Sequence, residues 1–307
     1  MGKVAIMFSG QGAQYPGMGK ELYRSSQAAR AIFDMADSIR PGTSKQCFEG
    51  SKEELCATIN TQPCIFAMDL AAAAAITEAG VSFDGAAGFS LGEIAGIAYT
   101  GMLSPDQAFS LACERAKLME MCAKKQKGAM LAILKMSPSE VERLCKESGE
   151  AYPVNYNYAG QTVAAGTQAG IEKLENLVAE NGGRSLKLPV GGAFHSPLMQ
   201  PAVSDFKEVL STLDFQNGEI PLYSNITAEP YGGDVKNLVA RQIVSPVRWS
   251  SIVENMMSEG FDTFIEAGPG KTLCGIVRKI SPDVQCYNVE DSKSLSLALE
   301  NMRVPIC

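Results

Sequence analysis

Ala87-Gly88-Phe89-Ser90-Leu91-Gly92-Glu93 reads Gly-x-Ser-x-Gly, between the small-residue run Gly85-Ala86-Ala87 and the helical segment Glu93-Ile94-Ala95-Gly96-Ile97-Ala98. This is the pattern of a nucleophile elbow, a strand–turn–helix junction that lifts a serine hydroxyl above the edge of a sheet. It predicts an α/β fold with Ser90 at the carboxyl end of a strand. Strained turn dihedrals and a close approach of strand to helix both exclude a Cβ at the flanking glycine positions. A helix opening at Leu91 aims its first N–H groups at the serine, where they stabilise negative charge on a bound carbonyl oxygen. Three fixed positions in a chain with 29 glycines carry little weight alone, and a glycine-rich turn with a solvated serine reads the same way.

The histidine content adds weight. The chain has a single histidine, His195, in Gly191-Gly192-Ala193-Phe194-His195-Ser196-Pro197. An activated serine needs a base near neutral pH, and imidazole is the usual one. A lone histidine in an apolar setting is also compatible with a packed core residue. Here it follows Leu188-Pro189-Val190 and precedes Ser-Pro, a loop leaving a strand, where catalytic residues concentrate.

At 307 residues the chain is long enough for a large core and more than one structural unit. A formal charge of -7 with no Lys/Arg stripe argues against a nucleic-acid partner. The nine cysteines (47, 56, 64, 113, 122, 145, 274, 286 and 307) include no Cys-x-x-Cys pair. That excludes the usual zinc spacing and predicts no metal site. An odd, scattered set fits reduced thiols and a cytoplasmic location. The apolar run at residues 1–8 is too short for a signal peptide or a membrane span and reads as a buried first strand.

Ser9-Gly10-Gln11-Gly12-Ala13-Gln14 follows that strand, without the Lys-Ser/Thr of a P-loop or Gly-x-Gly-x-x-Gly spacing. A loop at the carboxyl end of a strand is where an α/β fold places its ligand, so Gln11 is a candidate oxyanion donor. Helices are predicted over 20–36, 52–57 and 63–79, the last with Pro63 at its first position, and a strand over 81–88. Ser104-Pro105-Asp106-Gln107 is a capping box. The helix it opens carries Arg115 on or beside an apolar stripe of Ala108, Leu111, Ala112 and Leu118. Such an arginine either snorkels to water or is a buried guanidinium that forks two hydrogen bonds onto a carboxylate.

From residue 129 the pattern runs strand, helix, strand, strand, helix, strand. This is the βαββαβ of a ferredoxin-like unit, inserted at 127–191 in a larger domain made of 1–126 and 192–307. The crevice between the two is the expected site. Beyond it, predicted helices at about 200–212, from 235, at 250–258 and 272–280 alternate with strands near 220–224, 261–266 and 284–289. The large domain is therefore expected to hold a mostly parallel sheet.

Jointly, several motifs resemble the malonyl-CoA:acyl-carrier-protein transacylases over nearly the whole chain. They are Ser-Gly-Gln-Gly-Ala-Gln at 9–14, Gly-Phe-Ser-Leu-Gly-Glu at 88–93, Arg115, Asn155-Tyr156-Asn157 with Gly160-Gln161, Gly-Ala-Phe-His-Ser-Pro at 192–197, Gln242 with Pro246-Val247-x-Trp249, and Glu266-x-Gly268-Pro269-Gly270-Lys271. The resemblance implies an α/β-hydrolase-like domain with a ferredoxin-like insert. It also implies an enzyme of fatty-acid or polyketide synthesis that acts on malonyl-CoA and an acyl carrier protein without a cofactor. It places the acyl group on Ser90 and makes His195 the base. The Gln11 and Leu91 backbone N–H groups become the oxyanion hole, Arg115 the carboxylate clamp, and the Gln242 carbonyl the group that orients His195. One departure stands out: the family usually has histidine where this chain has Phe89. Phe194 resembles members selective for malonyl over branched units.

Two rival readings use the same residues differently. An acyl-thioester hydrolase would pass the acyl group to water, but a buried arginine gives no advantage with neutral acyl chains and is costly to desolvate unpaired. A non-catalytic carrier-protein-docking module would not need serine, histidine and arginine together.

Overall fold

The structure is a computed structural model that describes residues 2–302; Cys307 and the last five positions of the expected large domain lie outside the described residues. Strand β1, Lys3–Phe8, is buried along all but its first residue. The helix expected over 20–36 divides into α1, Lys20–Ser25, and α2, Gln27–Ile39. Ser26 between them is extended, and its side chain accepts the Ala29 N–H as a cap. Two short helices follow, α3, Thr43–Glu49, and α4, Lys52–Cys56. Helix α5, Thr58–Glu78, holds Pro63 in its interior and not at its first position. The turn ahead of the proline is held from its surroundings. Glu120 Oε2 accepts the Ile59 N–H at 2.7 Å, and Thr61 Oγ1 donates to the Ala57 carbonyl at 2.9 Å. Among the described residues α5 is the only helix long and apolar enough to cross a membrane. Most of its apolar window, 83%, is buried inside the protein, which makes it the central core helix.

Strand β2, Gly85–Gly88, is shorter than the 81–88 expected and leads through Ser90 into α6, Leu91–Tyr99. Helix α7, Pro105–Lys125, opens on the Ser104/Gln107 capping box. Next come β3, Gly128–Leu134, α8, Pro138–Ser148, β4, Ala151–Tyr158, β5, Gln161–Thr167, α9, Gln168–Glu180, and β6, Arg184–Lys187. These four strands form an antiparallel sheet in the order β4-β5-β3-β6. Leu131, Ile133, Val141, Leu144, Ile171 and Leu174 make its core with the two helices, all fully buried. The last strand stops at Lys187, three residues short of the end expected, and frees Leu188–Gly192 to reach the site.

Because Pro201 cannot continue a helix from the previous turn, the segment expected as one helix over 200–212 is a 3₁₀ stretch, Pro197–Ala202, then α10, Val203–Ser211. The remaining elements are β7, Leu222–Tyr223, α11, Val235–Gln242, α12, Trp249–Ser258, β8, Phe261–Ala267, α13, Thr272–Ile280, β9, Gln285–Val289, and α14, Ser292–Met302. Helix α14 has no counterpart in the sequence reading. The second sheet, β7-β2-β1-β8-β9, is parallel throughout. A parallel sheet brings the carboxyl ends of its strands to one edge, and the loops there gather the ligand-binding groups. Strand β4 meets the segment ahead of α12 where the Tyr156 N–H donates to the Val247 carbonyl at 2.9 Å and Val247 N–H to the Val154 carbonyl at 2.8 Å. That ladder ties the 242–249 segment against the small unit and the site.

Candidate active site

The elbow forms at the carboxyl end of β2. Strain sits on Ser90 itself, at φ 54° and ψ −102°, a backbone conformation that costs about 1–3 kcal/mol for a residue with a side chain. The two glycines serve close approach. A Cβ on Gly88 would fall on the backbone of Gly92, and one on Gly92 on the Phe8 carbonyl of β1. The surroundings hold the strained turn: Ser90 N–H donates to Asn225 Oδ1 at 2.8 Å, and Asn225 Nδ2 donates to the Gly88 carbonyl at 2.7 Å.

His195, 105 residues away in sequence, brings Nε2 to 2.7 Å from Ser90 Oγ. Its Nδ1 faces the Gln242 carbonyl at 2.9 Å and the Ser245 carbonyl at 3.2 Å. Two carbonyl acceptors at Nδ1 put the proton there and leave Nε2 free to accept the serine proton. Burial, and then the charge of Arg115, push the His195 pKa down to about 4. The imidazole is therefore neutral at physiological pH.

Arg115 on α7 is buried, at 1% exposure, which excludes the snorkelling alternative. Its Nη1 donates to Gln62 Oε1 at 2.7 Å, and its Nη2 to Gln242 Oε1 at 2.7 Å and to Ser90 Oγ at 3.2 Å. Nε has no acceptor among the described residues. Burial lowers its pKa to about 10, so the guanidinium keeps its charge at neutral pH. Ser90 Oγ thus has a base and a fixed cation within hydrogen-bond reach.

Gln11 and Leu91 border the same cleft of about 80 Å³, with Gln62, Met130 and Phe194. Leu91 is the first residue of α6, where helix N–H groups have no intrahelical acceptor. Gln11 follows β1, and its side chain turns toward Thr58 Oγ1 at 3.4 Å. An adjoining cavity of about 240 Å³ runs between the sheets, past Asn155, Asn157, Gln161 and Glu266. The side-chain oxygens of Asn155 and Asn157 are buried there without a donor among the described residues. Phe89 borders both spaces and packs its ring on Trp249, centroids 5.5 Å apart.

The fold therefore lines one cleft with Ser90, His195, Arg115, Gln11 and Leu91 and sets the sixth candidate, Gln242, behind it in contact with Ser90, His195 and Arg115. Gln62, Asn225 and the side chain of Gln242 carry contacts that the sequence reading did not assign. Gln62 had a visible signal, as a polar residue in the apolar run that becomes α5. Asn225 had none beyond following a strand.

A family model described as acyl transferase domain matches residues 6–296. The chain belongs to that family. Among relatives of this acyl transferase, the malonyl CoA-acyl carrier protein transacylase of Bacillus subtilis (strain 168) is 37% identical, and the match covers 99% of this chain and 98% of the relative. The crystal structure of malonyl CoA-acyl carrier protein transacylase from Clostridium perfringens superposes with a TM-score of 0.95 at 33% identity, covering 98% of this chain and 97% of that one. A malonyl-transacylase solved in complex with its type II PKS acyl-carrier protein gives a TM-score of 0.94 at 31% identity over 97% of this chain and 99% of that one. Those likenesses span both sheets of this acyl transferase, so the α/β-hydrolase-like sheet and the ferredoxin-like unit are shared features of the fold.

Proposed function

We propose that this acyl transferase moves a malonyl group from malonyl-CoA to the thiol of an acyl carrier protein, through a malonyl ester on Ser90, in fatty-acid or polyketide synthesis. One observation carries the reading: Ser90 Oγ lies 2.7 Å from His195 Nε2 and 3.2 Å from Arg115 Nη2. Nucleophile, base and a buried cation converge on one oxygen. A malonyl group places its carboxylate two carbons from the carbonyl that reacts.

In the first half-reaction His195 Nε2 takes the Ser90 proton as Oγ attacks the thioester carbonyl. The oxygen that gains charge is held by the Gln11 and Leu91 backbone N–H groups. The C–S bond then breaks, and the CoA sulfur leaves with the proton from His195. In the second half the carrier thiol gives its proton to His195 and attacks the ester, and Ser90 Oγ takes the proton back. The Gln242 carbonyl orients the ring through both halves, in the place an aspartate holds in a full triad. Exchange of one thioester for another requires no cofactor. The malonyl carboxylate pairs with Arg115, whose planar fork offers two parallel donors. The cavity bordered by Asn155 and Asn157 suits the amide N–H groups of the pantetheine arm that CoA and carrier share. Reduced thiols and a buried α5 suit a reaction in the cytoplasm.

Incubation with radiolabelled malonyl-CoA tests the reading. Label held on the wild type, absent from Ser90→Ala and passed on to carrier protein is the expected result. Release of free malonate without transfer would make the protein a thioester hydrolase, and no label at all would make it a docking module.

A further inference from the structure

Beneath the cleft lies an acid that the reaction above leaves unused. Glu93, in the first turn of α6, is 1% exposed, yet both its oxygens are engaged. Oε1 accepts the Asn225 main-chain N–H at 2.9 Å and the Tyr231 hydroxyl at 2.7 Å. Oε2 accepts Gln242 Nε2 at 2.6 Å. Burial lifts its carboxyl to about 7, against the pull of these donors and of the Arg115 charge.

Gln242 stands between the buried guanidinium and the buried carboxyl. Its Nε2 donates to Glu93 Oε2 and to the Ser90 carbonyl at 2.7 Å, while its Oε1 accepts Arg115 Nη2 at 2.7 Å. An amide has one donor end and one acceptor end. A guanidinium only donates, and Glu93, with donors on both of its oxygens, is the acceptor here, so this amide fits one way round. Reversed, it would set NH₂ against guanidinium and oxygen against carboxylate.

We infer that Glu93 is a positioning residue for malonyl selection: it fixes the polarity of the Gln242 side chain, and Gln242 Oε1 in turn holds Arg115 at Ser90. The inference rests on the malonyl-transfer reading above. His195 is oriented by the main-chain carbonyl of Gln242, not by its amide. The chain from Glu93 to Arg115 therefore acts on carboxylate recognition and leaves the base in place.

Glu93→Gln keeps the size and one acceptor oxygen; the Asn225 N–H and the Tyr231 hydroxyl hold that oxygen on their side, which turns the new NH₂ toward the Gln242 NH₂. Two donors then face each other, the amide loses its preferred orientation, and Arg115 loses a fixed acceptor. Steady-state kinetics with malonyl-CoA and acetyl-CoA should be measured for wild type, Glu93→Gln, Arg115→Ala and the double variant, with thermal melts confirming that each is folded. The expected result is a fall in malonyl kcat/KM of about ten- to a hundredfold, carried mainly by KM. Acetyl-CoA turnover should change less than about threefold, within what one neutral hydrogen bond is worth. In the Arg115→Ala background Glu93→Gln should add almost nothing, since coupled residues are not additive.

Equal losses with both substrates, or additive losses in the double variant, would overturn the inference. If Glu93→Gln does not fold, Tyr231→Phe decides. It removes one donor to Oε1, should raise malonyl KM roughly threefold, and an unchanged malonyl KM overturns the idea. A wild type with no preference for malonyl-CoA over acetyl-CoA would instead refute the reading underneath.

Discussion

Replacing Arg115 with alanine separates recognition of the carboxylate from acyl chemistry. A malonyl group differs from an acetyl group by one carboxylate, and Arg115 is the buried cation beside the nucleophile. Its Nη2 is 3.2 Å from Ser90 Oγ, and its Nε has no acceptor among the described residues. Truncating one partner of a desolvated charge pair costs about 3 kcal/mol, which corresponds to roughly 10²-fold in kcat/KM for malonyl-CoA. Acetyl-CoA should behave differently for two reasons. It offers the guanidinium no carboxylate, so the donors that a malonyl group would fill stay buried and unpaired in the wild-type site. The guanidinium charge is also, after burial, the second cause that pushes the His195 pKa down. Removing it brings the base closer to the working pH and improves proton transfer. Arg115→Ala should thus lose most malonyl transfer while acetyl transfer holds or rises, and Arg115→Lys should recover only part of the malonyl activity. The assay is kcat/KM for both thioesters with a thermal melt on each protein, because alanine also strips Gln62 and Gln242 of the donor that their oxygens now share. Equal losses with the two substrates would mean that Arg115 is structural and would refute the argument.

Because burial and then Arg115 hold the His195 pKa at about 4, the imidazole is protonated only in acid. With acetyl-CoA, whose turnover does not depend on the Glu93 carboxyl at about 7, the acid limb of kcat/KM should fall near pH 4, not near the ordinary imidazole value of about 6.5. A limb near 6.5 that His195→Ala abolishes would contradict this, and that variant should itself be slower by roughly 10²–10⁴-fold. The strain at Ser90, φ 54°, predicts that Ser90→Gly melts above Ser90→Ala by the equivalent of about 1–3 kcal/mol. The reverse order in melts of the two inactive proteins would place the strain elsewhere. Gly92→Ala drives a Cβ into the Phe8 carbonyl and should destabilise by about 3 kcal/mol or more; a soluble variant with the wild-type melting temperature would show that the contact yields. Lys124 and Lys127 border a groove of about 560 Å³ that shares Phe194 with the catalytic cleft, so reversing both charges should raise the KM for an acidic carrier protein by about tenfold, and added salt should weaken wild-type docking. An unchanged KM in the folded double variant would remove that patch from consideration.

The parts of the site legible in the sequence are those with a local or an exhaustive signal. Gly-x-Ser-x-Gly is a local signal, because close approach of β2, α6 and β1 is written in adjacent residues. His195 could be singled out by counting, since there is one imidazole. Arg115 declared itself by standing on an apolar helix face, though spacing alone could not decide between snorkelling and burial. Local rules failed where tertiary contact overrides them. Pro63 reads as a helix start, but Glu120 of a distant helix holds the turn ahead of it. The glycines of the elbow suggest strained dihedrals, yet the strain falls on the serine, which Asn225 pins from 135 residues away.

The least legible part, the network beneath the cleft, explains why an arginine is tolerable there. A guanidinium taken out of water without partners is costly by several kcal/mol, and before substrate arrives no carboxylate among the described residues touches Arg115. Its charge is met through an intermediary: Gln242 passes the field of Glu93 to it across one amide, 2.6 Å on one side and 2.7 Å on the other. Direct contact between Glu93 and Arg115 would satisfy the cation equally well but would also compete with an incoming carboxylate for the same donors. Placing a neutral amide between them keeps the guanidinium ionised and oriented, with only the Ser90 hydroxyl on its side toward the nucleophile and Nε unpaired, for a substrate anion to take up. No spacing rule links positions 93, 115, 225, 231 and 242; the arrangement exists only once α6, α7, α11 and the loop after β7 have packed together.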